Sequence, residues 1–298
     1  MRAHHGVTLT EMLVATAGLG CLAALLLPAL MDAKDSSDRT VCAANLAHLG
    51  QALRLYAGEN NGYLPDCGAC SLLGGAPTSG DPHHFPSGVD YPGSTAWPHD
   101  RRSVGNQANL WILVRQGYAV PAEFLCPATQ DRPSLNAPNN PAIMGFLALD
   151  PVTGRPTAAE DLFLQRIAAG RCSYSYQNQF AHPQTAADVT DVRNPTTNIL
   201  LHAASLAVMA DRNPYTRTRL VRQPVVSPDD QPEANSLNHG GTGQNVLYLD
   251  GSVQWQGSPL CGAVRPTGLR DNIYWPDAGL PTDPQNIPRS VDDSFLVP

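Results

Sequence analysis

Two hydrophobic patterns follow one another at the start of the chain. Residues 12–31 are apolar or small and carry no charge. At about 1.5 Å of rise per residue, a helix of that length spans about 30 Å, the thickness of a bilayer's hydrocarbon core. Beyond it, Val41, Leu46, Leu49, Leu53 and Tyr56 recur mostly at three- and four-residue intervals, the period of a helix with one apolar face. Asp35, Ser36 and Asp38 supply N-cap chemistry ahead of that face, and Gly58, Asn60, Asn61 and Gly62 supply a stop behind it. An apolar face needs a cover, so this second helix is expected to pack on a sheet.

Further along, the elements shorten. Residues 64–106 are rich in Pro, Gly, Ser and His with little periodicity and read as an ordered insertion loop. Residues 109–116, with Leu110, Trp111, Leu113 and Val114 apolar, read as a short helix stopped by Gly117. Residues 123–127 read as a strand end, residues 158–169 as a helix capped by Gly170, and residues 172–176 alternate like a strand. Residues 198–202 and 207–210 follow as strands, and residues 211–214 form a turn by composition. Near the C-terminus, residues 245–249 and 252–256 alternate on either side of Asp250-Gly251. Asp-Gly is a strong hairpin signal, because a type I′ turn needs positive φ at both central residues.

Charge orients the first helix. Arg2, His4 and His5 precede the apolar run, whereas Asp32, Asp35 and Asp38 follow it, so the positive-inside rule places the N-terminus in the cytoplasm and the bulk outside. A cleaved secretory signal peptide begins in a similar way, but its apolar core is usually about 7–15 residues long. Glu11 at the entrance to the run is also out of place there, since a carboxylate in lipid is costly without a partner. The whole chain of 298 residues has a net charge of −7 and no basic run, which argues against nucleic-acid backbone binding. Its 27 prolines and 25 glycines favour long loops.

The segment Gly6-Val7-Thr8-Leu9-Thr10-Glu11-Met12-Leu13-Val14 resembles the signature of type IV prepilins and type II secretion pseudopilins. Val7 stands where Phe is commoner, and Thr10 where Ile is. The resemblance implies cleavage after Gly6 by a prepilin peptidase, N-methylation of Val7, and an assembly role for Glu11 through pairing with the α-amino group of a neighbouring subunit. Solvation of Glu11 at headgroup depth is the plainer alternative. Pro28, 22 residues beyond Gly6, falls where pilin helices bend. The segment from Cys42-Ala-Ala-Asn-Leu46 to Asn60-Asn-Gly62-Tyr-Leu-Pro65 is similar to a subfamily of large pseudopilin-like proteins. In the same subfamily a Phe-x-Cys-Pro element precedes a Ser-Tyr-x-Tyr strand, which suggests a disulfide between Cys126 and Cys172. The stretch from His239 to Asp250-Gly251 resembles the His-x9-Asp-Gly motif of prepilin-type proteins, with ten intervening residues in this chain.

The expected architecture is therefore α+β: a long N-terminal transmembrane and amphipathic helix packed on an antiparallel β-sheet, pilin-like, with large loop insertions. Residues 1–6 would be the leader, 7–31 the transmembrane helix, 32–58 its amphipathic continuation, and 59–298 an extracytoplasmic domain with the hairpin at 245–256. Implied partners are the prepilin peptidase, other pilin-type subunits and the inner membrane, with no nucleic acid. The implied role is a structural subunit of a type II secretion or type IV pilus-like machine. A membrane-tethered extracytoplasmic binding protein, for carbohydrate or another surface ligand, is the alternative from a different class.

The remaining chemistry is limited. The chain has seven cysteines, an odd count, with Cys21 inside the apolar run; outside the cell the other six could form up to three disulfides. Cys67 and Cys70 have the spacing of one half of a zinc finger, and twelve residues separate Cys70 from His83-His84. The second histidine at the usual interval is missing, with His84 or His99 as stand-ins, and disulfide, zinc and free thiols all remain open. His239 and Asp250 could serve acid–base work, ligand binding or structural hydrogen bonding, but no nucleophile stands at a recognisable spacing. No Gly-x-Ser-x-Gly, phosphate loop or His-Glu-x-x-His occurs, so an exported hydrolase is disfavoured and no enzyme is expected. No cofactor is expected either, except calcium at an Asp-rich tail (Asp271, Asp277, Asp283, Asp292, Asp293) that lacks EF-hand spacing.

Overall fold

The structure, a computed structural model, describes residues 8–65, 107–133, 172–177, 205–215, 226–227, 229–265, 267–275 and 293–297. The two N-terminal patterns form one uninterrupted helix, α1 (Leu9–Glu59), 51 residues long. At about 1.5 Å per residue it measures roughly 75 Å. No new helix starts at residues 35–38. Lys34 instead pairs with Asp38 one turn on at 2.5 Å, and Thr40 Oγ1 donates back to the Ser36 carbonyl at 2.9 Å, so the polar stretch continues the helix. Pro28 lies inside α1. The helix ends as its sequence requires, with Asn60 as C-cap, and Asn61 and Gly62 at φ of 55° and 84°.

The two halves of α1 have opposite environments. Every residue from 8 to 37 is exposed, including Leu13, Leu19, Leu22, Leu26 and Met31. From Cys42 onward, Leu46, Leu49, Gly50, Leu53, Tyr56 and Ala57 are buried, forming a stripe three or four residues apart. Val41, expected on that stripe, faces solvent, and Cys42 takes the buried place.

The stripe lies on an antiparallel sheet whose strands are β1 (Tyr174–Gln177), β2 (Ala207–Asp211), β3 (Gln244–Tyr248), β4 (Val253–Gln256) and β7 (Leu296–Val297), in the spatial order β4-β3-β2-β1-β7. A separate ribbon pairs β5 (Leu260–Val264) with β6 (Arg270–Asn272). The expected α+β arrangement, a long apolar helix on an antiparallel sheet, is the one observed. Gly50 of α1 faces Leu247 of β3, where an added Cβ would sit 2.7 Å from Leu247 Cδ1. The short helix α2 (Gln107–Arg115) buries Leu110, Trp111, Leu113 and Val114 into the same core, and Gly117 follows it at φ 79°.

The sheet is covered on both sides. Leu247 joins α1 and α2 in one cluster, whereas Val246 and Tyr248 join Ile273 and Tyr274 in another. A register shift between Ala207 and Met209 lets Val208 and Met209 both enter the helix-side cluster, while Ala207 and Ala210 enter the other. This double burial explains why β1 and β2 are buried throughout and do not alternate.

Three local readings change. Residues 123–127 are not a strand end, because Pro121–Phe124 form a 3-10 turn with Val120 N–H donating to Glu123 Oε2 at 2.9 Å. Asp211 finishes β2 and is buried, so it does not open a turn at 211–214. The β3–β4 hairpin forms in the expected place, with Asn245 opposite Trp255 and Leu247 opposite Val253, but its turn is not type I′. Tyr248 N–H donates to Ser252 O at 2.9 Å and Gly251 N–H to Tyr248 O at 2.8 Å, closing a three-residue loop. Within that loop only Gly251 has positive φ, 84°, the pattern of a turn completed by a left-handed glycine. Gly251→Ala is therefore expected to lower stability by about 1–2 kcal/mol, the usual cost of a left-handed alanine, measurable as a lower urea midpoint.

The second helix expected at 158–169, the strand at 198–202 and, of the insertion loop expected at 64–106, all but residues 64 and 65 fall outside the described residues.

Candidate functional site

The end of the helix–sheet interface nearest the exposed part of α1 is polar. Asp211, fully buried at the end of β2, receives Asn245 N–H on Oδ2 at 2.7 Å and Asn238 Nδ2 on Oδ1 at 2.9 Å. The Cys42 thiol, on the buried stripe of α1, donates to Asp211 Oδ1 at 3.2 Å. His239 Nε2 lies 3.4 Å from Asp211 Oδ2 and 3.5 Å from Cys126 Sγ. Tyr174 OH reaches Cys42 Sγ at 3.5 Å and the Leu125 carbonyl at 3.2 Å. The side chains of Cys42, Cys126, Asp211 and His239 thus come from α1, the loop after the Pro121–Phe124 turn, β2 and a 3-10 turn at Leu237–His239.

That last turn is held at both ends. Ser236 accepts from Asn238 N–H, and Gly240 at φ 66° closes the C-terminal side with its N–H on the Leu237 carbonyl. Trp255 stands edge-on to the His239 ring at 5.4 Å, and Arg39 stacks over Trp255 at 4.2 Å. Arg39 also donates to Thr242 Oγ1 at 3.1 Å, which ties α1 to the segment between that turn and β3.

The electrostatics follow from burial. Burial opposes the charged form of His239, but the Asp211 carboxylate and the Cys42 sulfur beside it raise the imidazole to about 9. Burial pushes the Cys42 thiol up, and the neighbouring Cys126 and Asp211 push it further. Cys172, which donates to Tyr174 O at 3.4 Å, is raised by burial to about 12. Such thiols are poor nucleophiles as they stand.

Several sequence expectations can be placed against this geometry. Cys126 and Cys172 are not disulfide-bonded: both thiols are free, Cys126 facing His239 and Cys172 facing its own strand. His239 and Asp250 are not brought together, because they lie at opposite ends of β3. Asp250 is exposed and accepts Ser252 N–H at 2.8 Å; hydrogen bonds from Ser252 hold its carboxyl below the ordinary range. Asp271 is already engaged by Arg265 and by Ser294 N–H at 2.8 Å, which removes it from the open acidic tail. Asp277, Asp283 and Asp292 fall outside the described residues, as do Gly6, Val7, Cys67 and Cys70. Sequence reasoning missed Cys42 and Asp211 as site residues. The available signals were a cysteine in register with the apolar stripe and an acidic residue directly after an apolar strand.

At the other end of α1, Thr8 and Glu11 form a reciprocal capping box. Thr8 N–H and Thr8 Oγ1 both donate to Glu11 Oε2 at 2.8 Å, and Glu11 N–H donates to Thr8 Oγ1 at 3.3 Å. Glu11 is exposed, as is the apolar helix behind it. By length and composition α1 can cross a membrane.

A long apolar N-terminal helix on an antiparallel sheet defines the general class. Among known proteins, the type II secretion system core protein G of Klebsiella pneumoniae is 36% identical to this chain over 90 residues, covering 30% of this chain and 64% of that protein. No family model matches the chain, and no solved structure matches it. The partial similarity and the apolar helix together fit a membrane-anchored, pseudopilin-like protein.

Proposed function

We propose that the chain is a non-enzymatic pseudopilin-like subunit, cut after Gly6 by a prepilin peptidase, N-methylated at Val7 and assembled with other pilin-type subunits in a type II secretion or type IV pilus-like machine. The observation that carries this reading is the division of α1. Its C-terminal part is sealed onto the sheet, while residues 8–37 project as an uncovered rod that is apolar and charge-free from 12 to 31. Leaving that many large apolar side chains in water is strongly unfavourable, so the rod needs lipid before assembly and other apolar helices after it. In the membrane, the basic start and acidic exit of the rod favour a cytoplasmic N-terminus, an extracytoplasmic head and residence in the inner membrane.

Residues 1–6 then act as leader, 7–31 as the transmembrane part, 32–58 as its continuation and 59–298 as the head. The partial similarity to secretion protein G supports a pseudopilin-like role. The decisive experiment is intact-mass analysis of the protein purified from membranes of a host with a prepilin peptidase. The expected species begins at Val7 and is one methyl group heavier than the bare chain. A mature start beyond residue 31 would mean removal of the whole rod and would sink the proposal.

A further inference from the structure

We propose that Cys42, Cys126, Asp211 and His239 form a structural binding site for a thiophilic divalent metal ion of the zinc class, which clamps α1 to the sheet. The four donor atoms lie within 4.8 Å of one another, and all four residues are buried. Three of their separations are close to the edges of a coordination polyhedron. With Zn–S of about 2.3 Å and Zn–N or Zn–O of about 2.0–2.1 Å, a tetrahedral site has S···N and S···O edges of about 3.5 Å and an N···O edge of about 3.3 Å. The corresponding contacts here are 3.5 Å for Cys126 Sγ to His239 Nε2, 3.2 Å for Cys42 Sγ to Asp211 Oδ1, and 3.4 Å for His239 Nε2 to Asp211 Oδ2; the last two run to different oxygens of Asp211, of which one would serve as the ligand.

The donor set selects the ion. Two sulfurs, one imidazole and one carboxylate suit a borderline-soft metal and are wrong for calcium or magnesium, which take oxygen ligands. The surroundings are arranged as metal ligands require. Asn238 Nδ2 and Asn245 N–H orient the Asp211 carboxylate, and Tyr174 OH points at the Cys42 sulfur. On binding, each thiol and the His239 imidazolium, at Nε2, release a proton to solvent as the sulfur–metal and nitrogen–metal bonds form. Four protein donors would fill a tetrahedron, so the site is closed and non-catalytic.

Its role follows from its place. The ligands tie α1 to the segment after the Pro121–Phe124 turn, to β2 and to the turn before β3, at the point where the exposed rod meets the head. In a subunit of the kind proposed above, force on the rod would pass through this junction. The metal site itself rests on the four residues alone and stands whether or not the chain assembles.

The test uses the full chain in detergent micelles, carrying Cys67→Ser and Cys70→Ser so that those thiols cannot contribute. The expected result is one zinc per chain by elemental analysis. After chelation, cobalt(II) should bind one per chain, with thiolate charge-transfer absorption and the intense visible bands of a tetrahedral ion. Cys126→Ser should reduce the charge-transfer intensity, and Asn238→Ala, which leaves all four ligands in place, should weaken cobalt affinity roughly 10–100-fold. If a cysteine variant fails to fold, the spectrum of the parent and the Asn238→Ala affinity still decide. Absence of bound zinc and of a cobalt spectrum in the folded parent would overturn the site, as would a Cys42–Cys126 disulfide found by peptide mass. Undiminished binding after loss of both Cys42 and Cys126 would also overturn it.

Discussion

Replacing Asp131 with alanine is expected to destabilise the head by about 3–5 kcal/mol, because it strands a guanidinium in the core. Asp131 and Arg212 form an ion pair in which the side chains are 1% and 9% exposed. Arg212 also donates to the Cys172 carbonyl at 2.6 Å, and Ser173 Oγ donates to Asp131 Oδ2 at 2.5 Å. The pair therefore joins the segment after Cys126, the approach to β1 and the exit of β2. Without the carboxylate, the cation keeps a neutral carbonyl partner but loses its counter-charge in a poorly solvated place. The remedy identifies the cause. Arg212→Met in the Asp131→Ala background should recover much of the loss, since a flexible apolar side chain of similar length removes the unpaired charge. Urea titration of the full chain in micelles would compare the three proteins. Equal midpoints for the single and double variants would show that the stranded charge is not the cause.

Features carried by local periodicity or by turn chemistry could be read from the chain. The stripe at Leu46, Leu49, Leu53 and Tyr56, the short helix around Trp111 and the hairpin around Asp250-Gly251 each depend on residues close in sequence. Junctions were harder, because the same residue types serve two purposes. Asp35, Ser36 and Asp38 have the chemistry of a helix start, yet inside a continuing helix Asp38 pairs with Lys34 and Ser36 accepts from Thr40. The alternation of β2 was hidden by its register shift and by clusters on both faces of the sheet. The buried polar site was least legible, since Cys42 meets Asp211 across 169 positions and Cys126 meets His239 across 113. Only the tertiary fold brings such groups together. The resemblance pointed to His239 but paired it with Asp250, whereas the fold gives it Asp211, Cys42 and Cys126 as neighbours.

Glu11→Gln is expected to leave membrane insertion unchanged while weakening co-assembly with pilin-type subunits roughly 100-fold or more, the scale associated with breaking an ion pair out of contact with water. The substitution separates two roles that Glu11→Ala would remove together. In the isolated chain Glu11 is exposed and caps its own helix through Oε2, accepting from Thr8 N–H and Thr8 Oγ1. A glutamine keeps an oxygen that can accept those bonds, and it occupies this position of a capping box as readily as glutamate. It loses only the negative charge. In an assembled bundle of apolar helices, that charge would need a cation, and the α-amino group of an adjacent processed subunit is the nearest candidate. The capping role predicts that Gln assembles normally and Ala does not; the charge-pairing role predicts that both fail. Membrane fractionation measures insertion, and cross-linked ladders or pull-down with tagged pilin-type subunits measure assembly. Normal assembly of the Gln variant would show that Glu11 acts only as a helix cap.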